Sequence, residues 1–272
     1  LNFNIGANLS HYKNTVVQLN GNANEIRYGI TLQNDVYTAT TAGQPISSFF
    51  GYVVDGIFNT QEEVSKWPKY NPDINGRDTY SMPGVFKFRD LNGDGKITTA
   101  DRTFIGSPHP TLTYGLNLSA DYKNFDMTVF FQGVTGNQLV NYFNRELLFT
   151  RNEGNYLKSR LYESWTPERY ANGDKITLPI TLTNDGNMQK PSTFFMESGA
   201  YLRMKDFQIG YTLPAALTRK LHTDRLRVYF QSTNLFTITK YSGLNPEITE
   251  PNDGNKGIDT TVYPTPQIFM MG

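Results

Sequence analysis

The sequence predicts an all-β fold: a portion of an antiparallel transmembrane β-barrel with long extracellular loops. Three observations predict it. Segments of about ten residues alternate apolar with polar side chains, the period of a strand that shows one face to lipid and one to water. The links between them are lopsided, short ones alternating with long ones, as in a barrel with turns on one side of a membrane and loops on the other. Aromatic residues make up 14% of the chain, and many lie near the ends of alternating segments, where a barrel carries its aromatic girdles.

The elements follow in order. Leu1 to Tyr12 alternates Phe3, Ile5, Ala7 and Leu9 with Asn2, Asn4, Gly6 and Asn8, and Lys13-Asn14 breaks the pattern. Residues 28–37 extend a strand or lie as a periplasmic excursion. Residues 43–58, aromatic, β-branched and punctuated by glycine, read as a strand entering a loop. Residues 59–109 form a long insertion, with a short helix at Gln61–Trp67. Residues 111–122 and 125–133, joined at Lys123-Asn124, give the strongest hairpin signal in the chain. A second long segment, 136–199, contains a helix over Tyr156–Trp165. Residues 200–211 and 226–236 alternate again, linked through 213–225. A third loop, 237–262, precedes a last strand from Tyr263. Loops this long are uncommon in compact soluble domains and usually signal function. The expected sidedness is 59–109, 136–199 and 237–262 outside, with Lys123-Asn124 and 213–225 on the periplasmic side.

Composition bounds the function. The formal net charge is zero, cysteine is absent, and the three histidines, His11, His109 and His222, are widely separated. Nothing here favours nucleic acid, a disulfide framework, a zinc site or a histidine triad. No apolar run approaches the ~20 residues of a membrane helix, which leaves barrels open because only alternate residues face lipid. The N-terminus has no initiator Met, signal peptide or charged leader, and Phe269–Gly272 ends inside a strand-like pattern. Both ends read as cut. The expectation is that residues 1–272 are the C-terminal segment of a longer chain, contributing about seven strands to a barrel they do not close.

One loop carries metal chemistry. Asp90-Leu-Asn-Gly-Asp-Gly-Lys-Ile-Thr-Thr-Ala-Asp101 places oxygen side chains at positions 1, 3, 5 and 12, with glycine at 6, the spacing of a calcium loop of EF-hand type. Asp90, Asn92, Asp94, the Lys96 carbonyl and Asp101 are the candidate ligands, with Thr98 near or bridged by water. Gly95 permits the sharp turn. Asp at position 12 reaches less far than the usual Glu, which points to moderate affinity. The alternating residues 85–89 precede the loop where a helix would stand in a calcium switch, so the expected Ca²⁺ is structural. The plain alternative is an Asx-rich turn facing water.

Several motifs together resemble one family. Gly43-Gln-Pro-Ile-Ser-Ser-Phe-Phe-Gly-Tyr-Val-Val-Asp-Gly-Ile-Phe58, Pro83-Gly-Val-Phe-Lys-Phe-Arg-Asp-Leu-Asn-Gly-Asp-Gly-Lys-Ile97, Asp101-Arg-Thr-Phe-Ile-Gly-Ser-Pro-His-Pro-Thr-Leu-Thr-Tyr-Gly115, residues 202–214, residues 226–236 and Tyr263-Pro264 are similar, in order, to the C-terminal barrel of SusC/RagA-family TonB-dependent transporters. The resemblance implies import of oligosaccharides or oligopeptides across the outer membrane of a Gram-negative, Bacteroidetes-type bacterium. It also implies a SusD-like lipoprotein lid, TonB coupling through an upstream plug, and no enzymatic chemistry. Val85 departs from the family's common acidic residue, and Gly272 stands short of its terminal aromatic.

Two other classes compete. A soluble, calcium-stapled β-sandwich that binds surface glycans would explain the aromatics and the loop, but not the loop asymmetry. A glycan-degrading enzyme would need two carboxylates about 5–9.5 Å apart, and no such catalytic pair stands out. Trp67, Tyr70, Tyr80 and Trp165 are candidates for stacking on sugars or for the loops' own small core. Asp126, Arg145, Glu163 and Arg169 read as lumen or loop charges satisfied by neighbours.

Overall fold

Strands with alternating sequence pair with their chain neighbours into one open sheet. The computed structural model describes residues 1–22, 25–29, 31–70, 80–149, 155–182, 187–248 and 253–272. The sheet holds β1 (Asn2–His11), β2 (Leu112–Tyr122), β3 (Phe125–Thr135), β4 (Tyr201–Thr212), β5 (Arg227–Thr239) and β6 (Ile268–Met271), antiparallel and in that order. Such an up-and-down meander is the topology of a barrel wall. The turn between β2 and β3 is only Lys123-Asn124, with Lys123 in the left-handed region at φ 54°, as a two-residue hairpin requires.

Register sorts the side chains into two faces, because residues directly opposed on neighbouring strands point the same way. Ile5 opposes Leu118, Leu118 opposes Val129, and Val129 opposes Phe207. Phe3, Ala120, Met127, Ile209 and Phe230 form the next row. The other face runs Asn4, Ser119, Thr128, Gln208, Gln231 and Asn2, Asp121, Asp126, Gly210, Tyr229. Two of its carboxylates are engaged on the sheet: Arg227 donates Nε to Asp126 Oδ1 at 3.0 Å, and Gln231 donates to Asp206 at 3.0 Å. The apolar face is open, with Leu9 72% and Val228 53% exposed. A β-sandwich would bury that face under a second sheet, but among the described residues the other sheets have two or four strands and belong to the loops. The sandwich reading therefore fails.

The residues Met204-Lys205-Asp206-Phe207 break the alternation expected over 200–211. Pairing skips between Met204 and Asp206 on β4, against Phe130 and Phe131 on one side and Thr233 and Phe236 on the other. This β-bulge resets the period. Arg203 pairs with Gln132 and Thr237, and Asp206 with Phe130 and Thr233. Although three positions apart, Arg203 and Asp206 thus fall on the same, polar face.

All three long connections leave the same end of the sheet and pack into one head. The sequence expectation needs correcting here. Residues 43–58 do not enter the wall, which has six strands where about seven were expected. They form the strands Ser48–Gly51 and Val54–Ile57 inside the head, and β1 pairs directly with β2 across the whole excursion 12–111. The reason is burial on both sides: Phe49, Tyr52 and Phe58 are all buried, whereas the wall strands bury only single positions such as Val129 and Ser232 and leave Ile5, Leu9, Val228 and Ile238 exposed. Residues 28–37 also belong to the head, since Ile26–Tyr28 pairs with Thr38–Thr41 and that strand with Ser48–Gly51. The 213–225 link lies at the opposite end with the Lys123 turn and contains the short helix Ala215–Thr218. The expected grouping of the long segments at one end is thus present in the chain path.

Two apolar clusters hold the head. One gathers Tyr52, Phe58, Tyr70, Val85, Phe86, Phe88, Ile97 and Met188; the other Tyr37, Phe49, Val140, Tyr142, Phe195 and Ile258. Both join residues from different loops, so the loops stabilise each other. Val85 is a fully buried member of the first. The helix Tyr142–Phe149 was not foreseen from sequence. It starts at Asn141, whose side chain accepts the Asn144 N–H at 2.8 Å, the role of an N-cap.

Candidate functional site

The loop 90–101 lies between the head strands Phe86–Phe88 and Thr103–Gly106. Ahead of it, Phe86–Phe88 pairs with Val54–Ile57, and Arg89 grips Asp55 with Nε 3.0 and 3.1 Å from its two oxygens. The two family-like motifs are therefore physically joined. Inside it, Lys96-Ile97 pairs with Lys69-Tyr70, burying Ile97. Thr103–Gly106 then pairs with Ser48–Gly51 before the chain enters β2.

Within the loop, carboxylates turn the backbone. Asp90 accepts from Gly93 N at 2.6 Å and Gly95 N at 2.9 Å; Asn92 Oδ1 accepts from Asp94 N at 2.9 Å, and Asp94 from Lys96 N at 2.8 Å. Gly93 and Gly95 have φ of 75° and 79°, where a side chain would be strained. Desolvation is the largest influence on Asp90 and raises its pKa. The N–H groups of Gly95, Gly93, Asp94 and Asn92 together outweigh it and hold the carboxyl below the usual Asp value.

Asp101 sits apart in environment. It is completely buried and ties the loop's two ends, accepting from Leu91 N at 2.9 Å and Thr98 N at 2.7 Å. Thr98 Oγ1 accepts from Ala100 N at 3.2 Å, so its hydroxyl caps the 3₁₀ turn Thr99–Asp101. The donor set offers only oxygens, which fits a hard cation. The carboxylates do not converge tightly: among the described residues, no three His, Cys, Asp or Glu side chains are grouped to hold a metal ion. The loop's shape is set by its own hydrogen bonds.

The loop aromatics are structural. Tyr70 and Trp165 are buried, Trp67 donates Nε1 to Phe88 O at 2.8 Å, and Tyr80 packs 4.8 Å from Tyr70. The loop charges are likewise engaged. Arg145 is buried, donating to Gln189 O at 2.9 Å and pairing with Glu146; Arg169 donates to Ser164 O at 2.7 Å, and Glu163 accepts from Thr177.

Sequence reasoning missed a polar cluster on the wall. Arg203 donates Nε to Thr237 at 2.7 Å and its two terminal nitrogens to Glu247 at 2.6 Å and Asn245 at 2.7 Å. Lys205 reaches the same Glu247 at 2.7 Å. The signal was the alternation break at Lys205-Asp206.

No protein-family model matches the chain. The chain is similar to TonB-dependent receptor P3 of Formosa agariphila, at 33% identity over 236 residues, 85% of this chain and 22% of that protein. It is similar to TonB-dependent receptor SusC of Bacteroides thetaiotaomicron, at 27% identity over 201 residues, 74% of this chain and 18% of that protein. Among solved structures, the RagAB peptide transporter superposes with a TM-score of 0.68 at 21% identity, covering 99% of this chain and 26% of that one. The chain thus spans about a fifth of the length of these curated relatives.

Proposed function

Because this chain belongs to the SusC/RagA family of TonB-dependent transporters, we propose that it forms the C-terminal wall and part of the outer mouth of an outer-membrane importer. The observation that carries this reading is the two-faced sheet. Its apolar face suits lipid, and its polar face suits a lumen through which a hydrated solute passes. The head lies at one end, where it would form the mouth and receive a SusD-like lipoprotein lid. Plug and TonB contact belong to the longer protein upstream. The substrate class is a large polar nutrient, an oligosaccharide or oligopeptide, and the chain's part is passage and recognition without covalent chemistry.

Deleting the gene for the full transporter should abolish growth on at least one oligosaccharide or oligopeptide substrate, with restoration by the full gene and no restoration in a strain lacking TonB. Unchanged growth across panels of both classes would contradict the reading.

We also propose that the loop 90–101 closes on one Ca²⁺, ligated by Asp90, Asn92, Asp94, the Lys96 carbonyl and Asp101, with Thr98 bridged by water. When bound, the ion supplies positive charge that lets the oxygens approach one another. The protein's part is to pre-turn the loop through the Gly93 and Gly95 amides and to anchor it through Asp101. Elemental analysis of the full transporter should find one calcium assignable to this loop. Asp94→Ala should remove it and raise loop proteolysis in millimolar calcium, leaving the barrel folded. Equal proteolysis of both proteins, with and without chelator, would reduce the loop to an Asx turn.

A further inference from the structure

Between β5 and β6 the chain folds back toward the polar face. Its anchors into the head are firm. Tyr241 is buried and donates its hydroxyl to Asp259 at 2.6 Å, and Ser242 donates its N–H and its hydroxyl to Glu197, each at 2.7 Å. Ile258, fully buried, bridges to Val140. The stretch 243–248 hangs beyond the first anchor and is fixed differently. Leu244 is exposed, while Asn245 and Glu247 reach Arg203 and Lys205 on the wall. Thr265, farther along, accepts from Asn245 at 3.0 Å.

We infer that residues 243–248 are a latched strap at the mouth, whose latch is the Glu247 carboxylate shared between Arg203 and Lys205. Three observations carry this. Arg203 is 4% exposed and its guanidinium is spent on the strap and on Thr237, so the wall presents a pre-oriented fork. Lys205 stands at the bulge, which lets Arg203 and Lys205 meet one carboxylate while Asp206 stays paired with Gln231 on the same face. The strap–wall contact thus includes a cluster of charge-assisted bonds, which release when one partner changes, beside the buried Pro246. A polar cavity of about 270 Å³ lies beneath, lined in part by Arg203, Asn234, Thr237, Asn245, Thr265 and Gln267. The strap can therefore lift from the wall without opening the head's apolar clusters.

That the strap stands over the lumen rests on the polar face being the lumen side; the latch itself does not. The test is hydrogen exchange on the full transporter in detergent, which reads the latch whether or not transport is observed. Glu247→Gln should speed exchange of the amides of 243–248 by about tenfold or more, the loss of a charge-assisted bond. Strands β2 to β5 should stay within about twofold of the unsubstituted protein. Unchanged exchange in 243–248 would overturn the proposal. So would an equal increase across β4 and β5, which would make the cluster part of the wall. Lys205→Met, which leaves Arg203 in place, is the milder variant should Glu247→Gln not fold. It should speed the same amides by about threefold, and no change there would also overturn the latch.

Discussion

Leu118→Arg is expected to lower the stability of the lipid-inserted barrel by about 2–4 kcal/mol, whereas Asn117→Arg, one residue away, should change it by less than about 1 kcal/mol. Leu118 lies between Ile5 and Val129 in the middle of the apolar face, and Asn117 lies between Gly6 and Phe130 on the polar face. A guanidinium at position 118 would have to be drawn into hydrocarbon or would thin the bilayer around it. At position 117 it would meet water and the carboxylates of that face. Urea titration of the full transporter in lipid vesicles measures both. Equal losses would mean that the two faces do not see different solvents.

Phe86→Ala is expected to cost the head about 3–5 kcal/mol and the wall little. Phe86 is 1% exposed and packs its ring against Phe88, Phe149 and Phe194 at 6.1, 6.3 and 4.6 Å. It thus joins the first long loop to the second. The cavity left by its ring would loosen both, while the wall's ladder of backbone hydrogen bonds has no share in the contact. Near-ultraviolet circular dichroism should show the aromatic signal melting at lower temperature, with the barrel's heat-resistant migration on gels retained. Loss of both together would show that head and wall form one cooperative unit.

The wall was legible in the sequence because its physics is local. A strand with one apolar and one polar face must alternate, and Leu112–Tyr122 with Phe125–Thr135 does so around a two-residue turn. The head was not, because its strands are buried on both sides and lose the alternation. The segment 43–58 shows this: its aromatic run reads like a wall strand entering a loop, yet Phe49, Tyr52 and Phe58 fill the two head clusters. The turn at 90–101 was legible from spacing alone, since glycine and Asx residues at fixed offsets dictate it. The tie between Arg89 and Asp55 that holds it spans 34 residues, and no local pattern encodes a pairing at that range. The Arg203–Glu247 latch was hidden for the same reason. Only the bulge at Lys205 left a trace, as a break in period.

The two-faced wall is tested most directly by single-cysteine scanning along 113–120 in the full transporter reconstituted in lipid, made free of other cysteines, as this segment already is. Each cysteine carries a probe quenched from the lipid phase by brominated acyl chains and from water by iodide. Quenching by lipid should peak at 114, 116, 118 and 120, and quenching by iodide at 113, 115, 117 and 119, a strict period of two set by the register with β1 and β3. Quenching that rises and falls without that period, or lipid quenching at Asn117 and Ser119, would contradict the account.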